Sequence, residues 1–366
     1  MKKFIFTCIS AWTFCSAAQA DILIGQTAGF SGAVAAGVAE ISAGAMLFIN
    51  EVNAKGGVNG QKIKIIQKDD QFKPDLASLN AKELIEKEGV IGLFLSRGTP
   101  HSEAILPLLN QHELALIAPS TGAMVLHSPV QKYVFNVRST YQFEAEKTIE
   151  QLRSMMMSQI AVVHVDDSFG KDALAGYNLA FNKSNTKPVF VLTFDRQKPN
   201  FATVVITAAK MQPNAIVLAG SGAAVADGVT ALRKSGWIGS IATLSNNASN
   251  GFIKLLGANA QGIIVSQVFP HERSLSSALI REMTALASIN KVAITPSMVE
   301  GYAGAKVLVQ ALRGAGAKPT RASLLRSLNN LSMDLGELRL DFSEKDHTGV
   351  VFADLSIISA SGVFRR

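Results

Sequence analysis

The stretch SRGTPHSEA, Ser96 to Ala104, brings a threonine, a histidine and two serines within seven positions of a chain that has six histidines in all. These residue types suit either of two chemistries. A histidine base can activate a hydroxyl nucleophile, or hydroxyls and backbone N–H groups can hold a ligand without reacting with it. A serine hydrolase elbow requires Gly-x-Ser-x-Gly, and the sequence contains none. His101 and Ser102 are helix neighbours whose side chains diverge, so their adjacency makes no dyad. The histidines, at 101, 112, 127, 164, 271 and 347, show no paired spacing for a metal. Gly220-Ser221-Gly222 imitates the start of a dinucleotide fingerprint. Its third glycine position is Val225, however, and no ribose-binding acid follows about twenty residues later. No catalytic residue, metal or cofactor is therefore expected. The expectation is a ligand cradle.

Thr99, His101 and Ser102 follow the apolar run VIGLFL (90–95), and Pro100 and Glu103 suit the first turn of a helix. Free N–H groups there, with the hydroxyls of Thr99 and Ser102, favour an anion such as a carboxylate. Thr99 is also of the type that caps a helix. Arg97, just before it, either adds a second hold on an anion or faces solvent. Pro119-Ser120-Thr121-Gly122-Ala123 repeats the arrangement after the run LALIAP (114–119). Farther along, Tyr141 and Phe169 offer aromatic contact area, while Ser221 and Asn246 offer small polar groups. Phe169 equally suits packing beneath a helix start. Asp69-Asp70 closes a strand and reads as a solvated or capping pair, since no third carboxylate follows with calcium-loop spacing.

The elements that must position these residues alternate along the chain. Short β-branched runs at 22–28, 62–69, 90–95, 114–119, 133–137, 160–165, 188–194, 215–220, 241–245 and 262–267 read as strands. Between them, 36–54, 74–88, 101–111, 142–156, 169–183, 200–211, 223–235, 274–288, 297–314 and 322–328 read as helices. Strands this apolar, separated by helices, predict parallel sheets covered on both faces, an α/β doubly wound class. The end of the chain departs from this alternation: 337–342 and 350–358 read as strands joined by turns. So many strands are better divided between two sheets in two lobes than gathered in one.

The first twenty residues carry Lys2 and Lys3, an apolar run from Phe4 to about Ala18, and Ala18-Gln19-Ala20. This pattern predicts a secretory signal peptide over residues 1–20, cut after Ala20, with no stable membrane insertion afterwards. Both cysteines, Cys8 and Cys15, fall inside it, so neither a disulfide framework nor a thiol nucleophile is expected in the remainder. The formal net charge of +7 is scattered rather than run together, which argues against a nucleic-acid partner.

The run TAGFSGAVAAGVAEISAGAMLFINEVNAKGGVNGQKIKIIQKDDQ resembles the opening of the type I periplasmic solute-binding proteins of the branched-chain amino-acid (Leu/Ile/Val) ABC transporter group. Further marks follow in order: GTP at 98–100, PSTGA at 119–123, YVFNVR at 133–138, DDSFGKD at 166–172, VSQVFP at 265–270 and EGYAGAKVL at 300–308. The resemblance covers essentially the whole chain after residue 20. It implies two doubly wound parallel-sheet lobes joined by three hinge crossings, a Venus flytrap closing on one small ligand. On this basis 21–139 and 271–345 form the first lobe, and 140–270 with 346–366 the second.

The resemblance further implies a monomeric periplasmic protein that hands its ligand to inner-membrane ABC permease subunits. A ligand-sensing module for a receptor or kinase partner is the alternative role. It carries Thr99, Thr121 and the backbone around Ser120 and Gly122 over as first-lobe contacts, and Tyr141, Phe169, Ser221 and Asn246 as second-lobe ones. Two departures bear on the ligand. Gly122 stands where leucine binders of the group often have threonine. Tyr141 and the amides near Asn246 stand where amino-acid binders place acids for the ligand's ammonium. A branched-chain amino acid, an amide or an organic acid all remain open, with Glu300 or Asp167 able to restore an acid.

Overall fold

The computed structural model describes residues 20–366. The signal reading of residues 1–20 lies, Ala20 apart, outside the described residues. Fourteen strands and eleven α-helices are described. The strands are β1 (Ile22–Ala28), β2 (Ile63–Asp69), β3 (Gly92–Phe94), β4 (Ala115–Ile117), β5 (Val134–Phe135), β6 (Ile160–Val165), β7 (Val191–Phe194), β8 (Ala215–Ala219), β9 (Ser240–Thr243), β10 (Ile264–Gln267), β11 (Ser332–Asp334), β12 (Arg339–Asp341), β13 (Asp354–Ile358) and β14 (Phe364–Arg365). The helices are α1 (Ala35–Ala54), α2 (Pro74–Glu86), α3 (Thr99–His112), α4 (Tyr141–Ser154), α5 (Ser168–Lys183), α6 (Ala202–Met211), α7 (Gly222–Lys234), α8 (Asn250–Leu256), α9 (Ala278–Ile289), α10 (Pro296–Gly314) and α11 (Arg321–Asn329).

Two sheets organise these elements. A five-stranded sheet runs β2-β1-β3-β4-β5 with every pairing parallel. A seven-stranded sheet runs β14-β13-β10-β9-β8-β6-β7, parallel except where β13 pairs with β10 and with β14. Burial explains why the sequence reads as apolar runs. Every residue of β3, β4, β6 and β8 is buried, whereas the edge strands β2 and β7 alternate. In the first sheet β1 lies between β2 and β3, and in the second β6 lies between β7 and β8. These are the points where the strand order reverses, and ligands of open α/β sheets bind outside the carboxyl ends of strands there.

The C-terminal region differs in detail from the sequence reading. Ser332–Asp334 pairs with Arg339–Asp341 in a hairpin, and β13 begins only at Asp354. The segment before it packs on the first lobe. His347 stacks on Phe135 with ring centroids 4.1 Å apart, its Nε2 lies 2.9 Å from Asn329 Oδ1, and Val350 N donates to Val137 O at 3.0 Å. Two crossing strands of chain then run side by side: Phe352 N donates to Ser139 Oγ at 2.6 Å, and that oxygen lies 2.9 Å from Val350 O. The short helix α8 has no counterpart in the sequence reading. Its seven residues are too few for a helical period to emerge.

Candidate functional site

The Ser96–Ala104 stretch leaves the end of β3 and turns sharply at Gly98, whose φ of +97° is open to glycine and strained for other residues. Gly98, not Thr99, occupies the cap position of α3, and no side chain caps the helix. The Thr99 hydroxyl is thus free of the capping role, and its Oγ1 lies 2.8 Å from Thr121 Oγ1 on the neighbouring loop. That loop follows β4 and is tied to the first by Ser120 N donating to Ser96 O at 2.7 Å. The two β-strand ends therefore present one continuous polar edge.

Arg97 crosses from this edge to the opposite lobe. Its guanidinium donates to Ser120 Oγ at 2.7 Å and to the main-chain carbonyl of Asn246 at 2.6 Å. Ser120 Oγ in turn donates to Glu300 Oε1 at 2.7 Å, bringing in a residue of α10. Arg138, 1% exposed at the end of the β5 segment, faces the same carboxylate with Nη1 at 3.6 Å from Glu300 Oε1. Its Nη2 donates to Glu144 Oε1 at 2.7 Å and to Ser245 Oγ at 2.5 Å. Glu144 also accepts from Ser245 N at 3.0 Å and Ser266 Oγ at 2.5 Å, which binds α4 to the ends of β9 and β10. Tyr141 covers the cluster, its ring centroid 4.8 Å from the Arg138 guanidinium and 4.7 Å from the Phe169 ring.

The electrostatics follow from burial. Removal from water pushes the Arg97 guanidinium below its ordinary pKa, against the pull of Tyr141 and Glu300, and Arg138 pushes it the same way. For Arg138 burial also acts downward, but Glu300, Tyr141 and Glu144 together carry it above its ordinary value. Burial raises Tyr141, keeping its phenol neutral. His101 is pulled down to about 4 by burial, so it is an uncharged ring at neutral pH.

Of the residues singled out in the sequence, Thr99 meets Thr121, Ser120 is linked to the Asn246 main chain through Arg97, and Tyr141 packs on Phe169. Others have structural engagements. His101 is fully buried and stacks on Phe72, with centroids 4.4 Å apart. Ser102 Oγ lies 3.2 Å from Ser96 Oγ beneath the loop. Ser221 caps α7 by accepting from Ala224 N at 3.4 Å. Gly122 is a point of close approach: a Cβ there would stand 2.5 Å from Ser139 O and 2.7 Å from Tyr141 N. A threonine at this position would force the backbone at Ser139–Tyr141 to shift. Arg138 and Glu144 were not singled out as site residues. Their one signal is an arginine ending the largely apolar run YVFNV (133–137), with an acid six positions later in a first helical turn.

The lobes meet elsewhere along the cleft. Glu40 on α1 accepts from Asn250 N and Gly251 N at 3.1 and 2.8 Å, and Ser168 Oγ donates to Glu103 Oε2 at 2.5 Å. Arg196, ion-paired with Asp167, lies 4.9 Å from the Phe72 ring centroid. Among the described residues no group of three or more His, Cys, Asp or Glu is placed to hold a metal.

Residues 21–356 match the family described as periplasmic binding protein. The chain belongs to that family. Its curated relatives are described as Leu/Ile/Val-binding or amino acid binding proteins. A relative from Brucella melitensis, described as Leu/Ile/Val-binding protein homolog 3, is 22% identical over 320 residues, covering 87% of this chain and 85% of that one. The crystal structure of a substrate-binding periplasmic protein from Ralstonia solanacearum is 26% identical with a TM-score of 0.85, covering 94% of this chain and 99% of that one. A possible leucine/isoleucine/valine-binding protein from Rhodopirellula baltica shares the fold, with a TM-score of 0.87 at 22% identity over 95% of this chain and 96% of that one. The family places periplasmic binding proteins such as this one in the periplasm.

Proposed function

We propose that this chain is the substrate-binding component of an ABC importer, closing its interlobe cleft on one small polar or amphipathic solute. The observation that supports this most directly is the Arg97 bridge. One side chain from the first lobe reaches Ser120 on its own side and the Asn246 carbonyl on the other. The proposed lobes are 21–139 with 271–345 and 140–270 with 346–366. The packing of His347 and Val350 on Phe135 and Val137 favours moving the last crossing to about 350–353. In this reading Thr99, Ser120, Thr121 and Arg97 grip the solute's polar head, while Tyr141, Phe169 and Asn246 swing in to bury the remainder. His101, Ser102, Gly122 and Ser221 shape the loops that carry them.

Export by residues 1–20, with cleavage after Ala20, would release a soluble monomer that presents both lobes together to inner-membrane permease subunits only when closed. The test is mass spectrometry of small molecules released when protein purified from its native periplasm is denatured. An unmodified solute in about one-to-one amount is expected. Its complete absence, together with no thermal stabilisation by any solute class, would remove the reading.

A further inference from the structure

Two buried guanidinium groups in this cleft keep room for an anion: Arg97 has no paired carboxylate among the described residues, and Arg138, though paired with Glu144 and facing Glu300, has a buried Nη1 with no hydrogen-bond acceptor. Arg97 is 5% exposed, yet among the described residues no carboxylate lies within ion-pair distance of it. Its hydrogen bonds go to two neutral oxygens, Ser120 Oγ and the Asn246 carbonyl. Arg138 is 1% exposed, and its Nη1 is buried with no hydrogen-bond acceptor. Leaving a buried cation without a partner is costly, and guanidinium groups match carboxylates in a planar, two-point geometry.

The acids of the cleft are engaged in the opposite sense. Glu144 accepts from Arg138, from the Ser245 amide and from the Ser266 hydroxyl. Asp167 is ion-paired with Arg196 and caps α5 through Phe169 N and Gly170 N. Glu300 Oε1 accepts from Ser120 and faces Arg138. A ligand ammonium entering here would have to compete with arginines for each carboxylate, whereas a ligand carboxylate meets the unpaired charge of Arg97 and the unsatisfied Nη1 of Arg138.

We infer that Arg97 determines specificity, selecting a carboxylic acid without an amino group, whose carboxylate bridges Arg97 and Arg138 Nη1 and whose apolar remainder lies against Tyr141 and Phe169. This deepens the solute-binding reading and rests on it. No bond is made or broken, and discrimination arises from matching charge in a site that excludes water.

Isothermal titration of the full chain with isosteric sets tests this. One set is 4-methylpentanoate, its primary amide, leucine and 4-methyl-2-oxopentanoate; the other is benzoate and benzamide. At least one acid of a set should bind, with its amide, and leucine in the first set, at least about 30-fold weaker. Arg97→Gln should abolish that preference, and Arg97→Lys should keep its sign with weaker binding. Thermal unfolding of each variant without ligand checks that it is folded, and the wild-type comparison stands even if neither variant folds. Binding of an amide or of leucine as tight as that of the matching acid overturns the assignment and leaves the solute-binding reading intact. Failure of every acid to bind overturns it as well. The released-solute measurement separates the two readings: a recovered amine or amide contradicts this inference alone, and the absence of any solute undermines both.

Discussion

Arg97 and Thr99 stand two positions apart and point to different tasks because the Gly98 turn rotates the chain between them. The guanidinium crosses to the Asn246 carbonyl, while the threonine hydroxyl remains on the first-lobe edge with Thr121. Converting both Thr99 and Thr121 to alanine should weaken solute binding by about tenfold or more, since two neutral hydroxyl donors are lost. The fold should survive, because removing both partners leaves no orphaned hydroxyl. Calorimetry of the double variant beside its unfolding curve checks both parts, and unchanged affinity would place the pocket elsewhere. Gly122 makes the contrasting prediction. Gly122→Ala puts a methyl group against the Ser139 carbonyl and should lower stability by about 1–3 kcal/mol, read from denaturant midpoints. The candidate site was legible where chemistry is local, as at Thr99, Ser120 and Thr121 beside strand ends. Glu300 joins Arg138 and Glu144 from over 150 residues farther along the chain, and no spacing rule connects such distant residues.

Among the elements, the central strands were the most legible because burial on both faces writes itself as unbroken apolar sequence. Edge strands and short pieces were less so. Only 191–194 of the run 188–194 is strand, and β14 has two residues, too few to carry a period. The α4–α5 pair carries a prediction of its own. Asp172 on α5 accepts from Gln142 Nε2 at 2.9 Å and from Met124 N at 3.3 Å, reaching a first-lobe loop. Burial raises its pKa to about 6, against the downward pull of those two bonds. A carboxyl group with a folded pKa above its unfolded value of 3.8 contributes stability below pH 4 and loses it as pH rises through about 6. Asp172→Asn keeps an acceptor for both bonds and removes the titration. The variant should lose less stability than the parent between pH 4 and pH 7, by of order 1–3 kcal/mol, in paired denaturation curves. Parallel slopes would show that Asp172 does not carry the shift.

For the whole molecule, the two sheets are linked among the described residues by short crossings, and polar contacts span the cleft between the lobes. Arg97 on Asn246, Glu40 on the α8 amides and Ser168 on Glu103 all span the cleft. The large apolar clusters, by contrast, belong mainly to one sheet or the other. Polar latches of this kind suit an equilibrium that a ligand can bias, since each is lost on opening at modest cost and water replaces it. The two-lobe organisation was legible from the number of strands. The contacts across the cleft were not, because they depend on how the crossings aim each lobe at the other.

The central claim is that solute binding closes these lobes on one another. Small-angle scattering of the full chain, with and without a solute that raises its Tm, tests it most directly. A smaller radius of gyration with solute than without is the predicted result. An unchanged radius in the presence of a stabilising solute would contradict closure around the Arg97 bridge.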